Sequence, residues 1–167
     1  MNLSNTLFSR TMNRFVPTLV LALAGVSFMS AAQAEGRFVI SADGKEVTDT
    51  QTKLVWQRCA VGQTWDGKLC AGKPTKIGLA KAKEMGAAMT PAWHLPTKEE
   101  MVSVLDKSQK KTKLDATAFP GAPGVIFWAT QAGSTDNLNA WLVNFKSGRV
   151  VANTHKANYA VRLVRPA

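Results

Sequence analysis

The chain has 167 residues, a net charge of +10 at pH 7, and only two cysteines and two histidines. That length suits one domain with a single core, and two cysteines with two distant histidines exclude the common structural zinc patterns. The excess of base favours anionic partners through long-range attraction and carries no information about fold.

The first 34 residues read as an address. Arg10 and Arg14 form a positive segment, Phe15 to Met29 is apolar apart from the breaks at Pro17 and Gly25, and Ala32-Gln33-Ala34 supplies a small-x-small cleavage site. The apolar run is about 15 residues, short of the roughly 20 that span a bilayer as a helix. The expectation is a signal peptide over 1–34, export to the periplasm or beyond, and a mature domain over 35–167. The first cysteine is Cys59, too far on for a lipid anchor at the new N-terminus.

Arg37 to Ile40 predicts a strand, Asp43-Gly44 a turn, and Glu46 to Asp49 a second strand. Thr50 to Lys53 is turn-like, and Leu54 to Gln57 is the third strand. Cys59 and Cys70 lie in an exported chain, so their even count predicts one disulfide. The spacing is not CxxC, which disfavours redox catalysis.

Thr75 is the predicted cap of a helix over Lys76 to Ala88, weakened by Gly78 and Gly86. In Trp93-His94-Leu95-Pro96-Thr97, Trp93 and Leu95 share one side of an extended piece. Thr97 with Glu100 spells a capping box for a second helix, Lys98 to Lys107, with Met101, Val102, Val104 and Leu105 as its apolar set. Phe119 to Gly124 reads as a loop, Val125 to Thr130 as a strand, and Gly133 to Asn137 as a polar turn. Asn139 to Phe145 and Arg149 to Ala152 form a hairpin across Lys146-Ser147-Gly148. Tyr159 to Val164 closes the chain with Ala160, Arg162 and Val164 on one face. Strands, two helices, then strands define an α+β domain with a mostly antiparallel sheet. No internal repeat or low-complexity segment is visible.

Asp43-Gly44 with Val47-Thr48-Asp49, and Thr52-Lys53-Leu54-Val55-Trp56-Gln57-Arg58-Cys59, resemble the start of the Lcl C-terminal domain family. The likeness continues through Trp93-His94-Leu95-Pro96-Thr97-Lys98-Glu99-Glu100, where the family usually has Arg at the His94 position. It runs on through Asp115 with Phe119-Pro120, Phe127-Trp128-Ala129-Thr130 and Val161-Arg162-Leu163-Val164-Arg165. The resemblance implies a C-type-lectin-like fold: a twisted antiparallel sheet, two helices and paired terminal strands. The family takes its name from a bacterial collagen-like adhesin, whose domain is associated with sulfated polysaccharides such as glycosaminoglycans. This chain has no Gly-X-Y stalk, so trimerisation is not implied. The calcium-lectin triplets are absent too, so calcium-dependent sugar binding has no support, and no cofactor or metal is expected.

The candidate ligand residues are basic. Lys107, Lys110, Lys111 and Lys113 cluster between Asp106 and Asp115, and Lys146, Arg149, Lys156, Arg162 and Arg165 form a second set on the late strands. Ammonium and guanidinium groups suit sulfate or carboxylate; the plain alternative is a solvated loop and outward-facing strand residues. Trp56, Trp93, Trp128 and Trp141 read as core. Trp65, beside Asp66-Gly67 in the cysteine loop, is a candidate sugar platform. His94 and His155 lack the nucleophile partner of a hydrolase, and Asp43, Glu46 and Asp49 read as turn and surface acids. Nucleic acid fits an exported chain poorly. The expectation is a non-catalytic binding module for anionic polysaccharide or surface glycan. The alternative is a protein-interaction or inhibitor module of the cell envelope.

Overall fold

Four short extended runs, three near the start of the domain and one at its end, build the first sheet. A computed structural model describes residues 36–91, 93–133, 140–153 and 157–167; the predicted leader, most of the 133–137 turn, His155 and Lys156 lie outside the described residues. Strands β1 (Phe38–Ile40), β2 (Glu46–Asp49), β3 (Leu54–Gln57) and β11 (Val164–Pro166) lie in the order β1-β2-β3-β11, every neighbour antiparallel. Gly44 turns β1 into β2 at φ 72°, and a Cβ there would stand 2.6 Å from the Trp65 indole nitrogen. The expectation that the terminal strands pair is corrected. Both lie in this sheet, but β11 takes the free edge of β3, with Val164 opposite Trp56, and β1 stays on the far edge beyond β2.

The second sheet holds β6 (Lys76–Ile77), β10 (Tyr159–Ala160), β7 (Ile126–Thr130), β8 (Ala140–Asn144) and β9 (Arg149–Asn153), in the order β6-β10-β7-β8-β9. Its pairings are antiparallel except at β10–β7, where Ala160 meets Phe127 in parallel. A small hairpin, β4 (Thr64–Trp65) with β5 (Cys70–Ala71), forms inside the loop closed by the Cys59–Cys70 disulfide. The molecule is α+β and mostly antiparallel, with two helices among the described residues, as the element order implied.

Both helices are shorter than their periodicity suggests. Helix α1 spans Leu79–Ala87 and has Gly78, not Thr75, at its N-cap, with no side-chain cap bond. Lys76 and Ile77 are drawn into β6 instead, where Ile77 faces Tyr159 and its carbonyl accepts the Trp128 indole N–H at 2.7 Å. Gly86, a weak helix former, is required here: a Cβ would meet the Trp93 carbonyl oxygen at 2.8 Å. Helix α2 spans only Lys98–Ser103. Its capping box is present: Glu100 N–H donates to Thr97 Oγ1 at 3.1 Å, and Thr97 N–H donates to the Glu100 carboxylate at 2.8 Å. At its end Arg37 Nη2 donates to the Ser103 carbonyl at 2.5 Å, one of the carbonyls that a helix terminus leaves unpaired, and the chain beyond forms a separate loop. Met101 and Val104 are buried as expected, whereas Val102 is 42% exposed.

Two clusters form the core. Trp56, Phe119, Phe127 and Phe145 anchor one, and Trp93, Leu95, Trp128 and Leu163 anchor the other. Trp141 packs only half-buried against the first; its indole N–H donates to Gln131 at 2.9 Å and the Lys98 ammonium lies 4.3 Å over its ring. Among the described residues no helix is long and apolar enough to cross a membrane.

Candidate functional site

The residues after α2 fold into a loop with its own fastenings. The Asp106 carboxylate accepts from the Ser108 N–H at 2.9 Å, the Ser108 hydroxyl at 2.6 Å and the Gln109 amide at 2.8 Å, which together hold its pKa below the usual carboxylate range. Asp106 N–H donates to the Lys113 carbonyl at 3.0 Å and closes the loop across its neck. The Lys113 ammonium reaches back inside and donates to the carbonyls of Lys107 at 3.0 Å and Gln109 at 2.6 Å. At the far end the Asp115 carboxylate accepts the N–H groups of Thr117 and Ala118 at 2.8 and 2.7 Å.

This loop is docked on the β8–β9 turn. Lys113 N–H donates to the Phe145 carbonyl at 2.6 Å. Gly148, at φ 76°, lets the turn pass so close that a Cβ there would lie 3.6 Å from Lys113 Cγ. The turn is itself tied by the Asn144 side chain, which accepts the N–H groups of Lys146 at 2.9 Å and Ser147 at 3.2 Å. Two basic segments separate in sequence are thus bonded to each other. Lys107, Lys110, Lys111, Lys146 and Arg149 are all exposed, and among the described residues no ion pair engages any of them. A recess of about 390 Å³ lies among Ser108, Gln109, Lys110, Lys111, Thr112 and Leu114 and has no carboxylate in its walls. A second, of about 470 Å³, runs from β1 to the same loop and does have two, Asp106 and Asp115.

The other candidates fall elsewhere. Lys113 is on the surface but half-buried, its charge turned onto carbonyls rather than outward. Trp65 is half-buried in β4, with the Arg58 guanidinium 4.4 Å over its ring and Gly44 at its indole edge; no contact among the described residues joins it to the basic loop. The outward reading of Arg162 and Arg165 is corrected. Arg162 is fully buried, and Arg165 donates to Glu46 at 2.8 Å and lies over Trp93.

The acids and the histidine have structural partners. Asp49, read from sequence as a surface acid, has no exposed surface. Burial opposes its ionisation, but two bonds from Arg37 at 3.1 and 2.7 Å and one from Gln51 N–H at 3.0 Å outweigh it and lower its pKa. His94 Nε2 lies 3.2 Å from both Glu100 oxygens, beside the capping box. Burial likewise opposes the Glu100 charge, and the bonds from His94 and Thr97 N–H overcome it.

Two buried guanidiniums were not foreseen as core residues. Arg58 donates to the carbonyls of Ala118, Gly44 and Thr117, each at 2.8 Å. Arg162 Nη1 donates to the Gln57 carbonyl at 2.6 Å and to that of Arg58, while its plane lies 4.9 Å from the Phe119 ring centre. Burial pushes the Arg162 pKa down to about 9, which leaves it charged at neutral pH. The available signal was proximity in sequence to buried residues, since Arg58 precedes a disulfide cysteine and Arg162 sits between Val161 and Leu163.

Fold and surface together define a disulfide-pinned, mostly antiparallel α+β domain with exposed basic residues that no ion pair engages among the described residues. The chain belongs to the Lcl C-terminal domain family, whose sequence profile matches residues 45–165. That span runs from the β1–β2 turn to β11 and includes both basic segments. A search of curated proteins gives no significant match.

Proposed function

We propose that this chain is an exported, non-catalytic binding module of C-type-lectin-like architecture, acting in the periplasm or outside the cell. Its ligand is an anionic polysaccharide or surface glycan. One observation carries the reading: the loop that bears Lys107, Lys110 and Lys111 is bonded to the turn that bears Lys146 and Arg149, and all five charges are exposed without acidic partners among the described residues. An extended polyanion laid across both segments meets several cations at once, with charge-assisted bonds that weaken as salt rises. Family membership supports the same reading. A binder rather than an enzyme is favoured because His94 and the acids Glu46, Asp49 and Glu100 are each engaged in structural contacts.

Chromatography of the mature protein on immobilised heparin with a salt gradient tests this. Retention at low salt is expected, with earlier elution for the K110E/K111E and K146E/R149E pairs. Protein that passes straight through at low salt would remove the basis of the proposal. Mass spectrometry of the exported protein checks the leader: a mature start at or near Glu35 is expected.

The envelope-protein reading has its own observation. The recess of about 470 Å³ is lined in part by β1, an edge strand, where Ile40 is 40% exposed. Capture of an envelope protein that is lost in I40K but kept in K110E/K111E would favour it.

A further inference from the structure

Lys113 occupies a different position from the lysines around it. Its N–H is bonded to Phe145 in the turn and its carbonyl to Asp106 at the loop's neck. Its stem runs beside Gly148, and its ammonium bridges the carbonyls of Lys107 and Gln109. The main-chain bonds tie this position to the turn and to the neck whatever the side chain, and what the lysine itself adds is the ammonium that fixes the course of the loop between Lys107 and Gln109. We infer that Lys113 is a positioning residue, and that the site it holds together reads a polymer by the fixed spacing between loop and turn rather than a single anionic group by charge. This rests on the polyanion reading above and specifies its ligand as a chain long enough to bridge Lys107, Lys110 and Lys111 on one side and Lys146 and Arg149 on the other.

The physical reason is effective concentration. Two sets of cations on a rigid frame engage a bridging chain as linked contacts, and the second contact forms intramolecularly. If the frame loosens, each set still attracts anions but the gain from linkage falls. A short anion that reaches only one set never had that gain. Lys113 shapes the frame through backbone carbonyls, so its removal loosens the loop without taking a charge from the outer face.

The test uses the whole mature protein, with dextran sulfate as the long probe and inorganic sulfate as the short one, at fixed ionic strength. Lys113→Met is compared with Lys110→Met, which removes an equal charge from the exposed set. Lys113→Met is expected to weaken dextran sulfate binding by about tenfold, a part of the roughly 100- to 10,000-fold that linkage can contribute, and by clearly more than Lys110→Met. Its effect on inorganic sulfate should be smaller than that of Lys110→Met, because the Lys113 ammonium is turned onto carbonyls and not outward. Lys113→Arg, which retains donors on a long stem, should recover most of the affinity, and amide exchange over 107–112 should rise in Lys113→Met alone. If Lys113→Met does not fold, the same comparison is made with Lys113→Gln, whose amide is too short to reach both carbonyls. Equal losses for the Lys113 and Lys110 variants on dextran sulfate would overturn the inference while leaving the polyanion reading intact. Unchanged binding in both K110E/K111E and K146E/R149E would instead overturn the polyanion reading itself.

Discussion

Asp49 shows how a single side chain couples stability to pH. Its carboxylate is buried, yet Arg37 and Gln51 hold its pKa below the value of an unfolded chain, about 4. The folded state therefore binds fewer protons than the unfolded state around that pH. The stabilisation is full above the unfolded pKa and is lost as pH falls through the lowered folded value. Acid titration of folding should show this as a steep loss below about pH 4, and the slope should be shallower in D49N. At neutral pH, D49A is expected to destabilise by about 2 kcal/mol, because it removes charge-assisted bonds to the half-buried Arg37; chemical denaturation reads this directly. Trp93 makes the complementary case for an apolar side chain. It is 4% exposed and sits in the second core cluster, so W93A should cost roughly 3–5 kcal/mol. A W93A protein with wild-type denaturation behaviour would contradict that role.

At the scale of elements, α2 is too short to stand as a helix by itself. It survives on its capping box and on Met101 packed beneath it, so T97A is expected to lower stability by about 1 kcal/mol. Thermal denaturation measures this, and T97S should restore most of the loss because its hydroxyl still accepts the Glu100 N–H. The disulfide acts on a different element, the loop that holds β4 and β5. Closing a loop of this length contributes on the order of 3 kcal/mol by restricting the unfolded chain. Reduction, or a C59A/C70A pair, should therefore lower the denaturation midpoint by a corresponding amount. The capping box was legible because Thr97 and Glu100 are three residues apart. The start of α1 was not, because Lys76 and Ile77 are claimed by Tyr159 and Ala160, more than eighty residues away.

For the molecule as a whole, the chain alone determined what neighbours along it can determine. The turn at Asp43-Gly44, the alternation through β8, the capping box, the disulfide and the α+β order depend on contacts within a few residues or on composition. The basic character of 107–113 and of 146–149 was equally open to view. Tertiary structure decided what depends on distant partners. It set β11 against β3 rather than β1, with Val164 opposite Trp56 inside the first core cluster. Arg162, which strand alternation placed outside, was buried under Phe119 with backbone carbonyls in place of water. Only the fold brought the two basic segments together, through a main-chain bond from Lys113 to Phe145, and turned the Lys113 ammonium onto the carbonyls of Lys107 and Gln109. Hydrophobic periodicity records which residues avoid water. It does not record which remote carbonyl or ring will receive a charge that has left it.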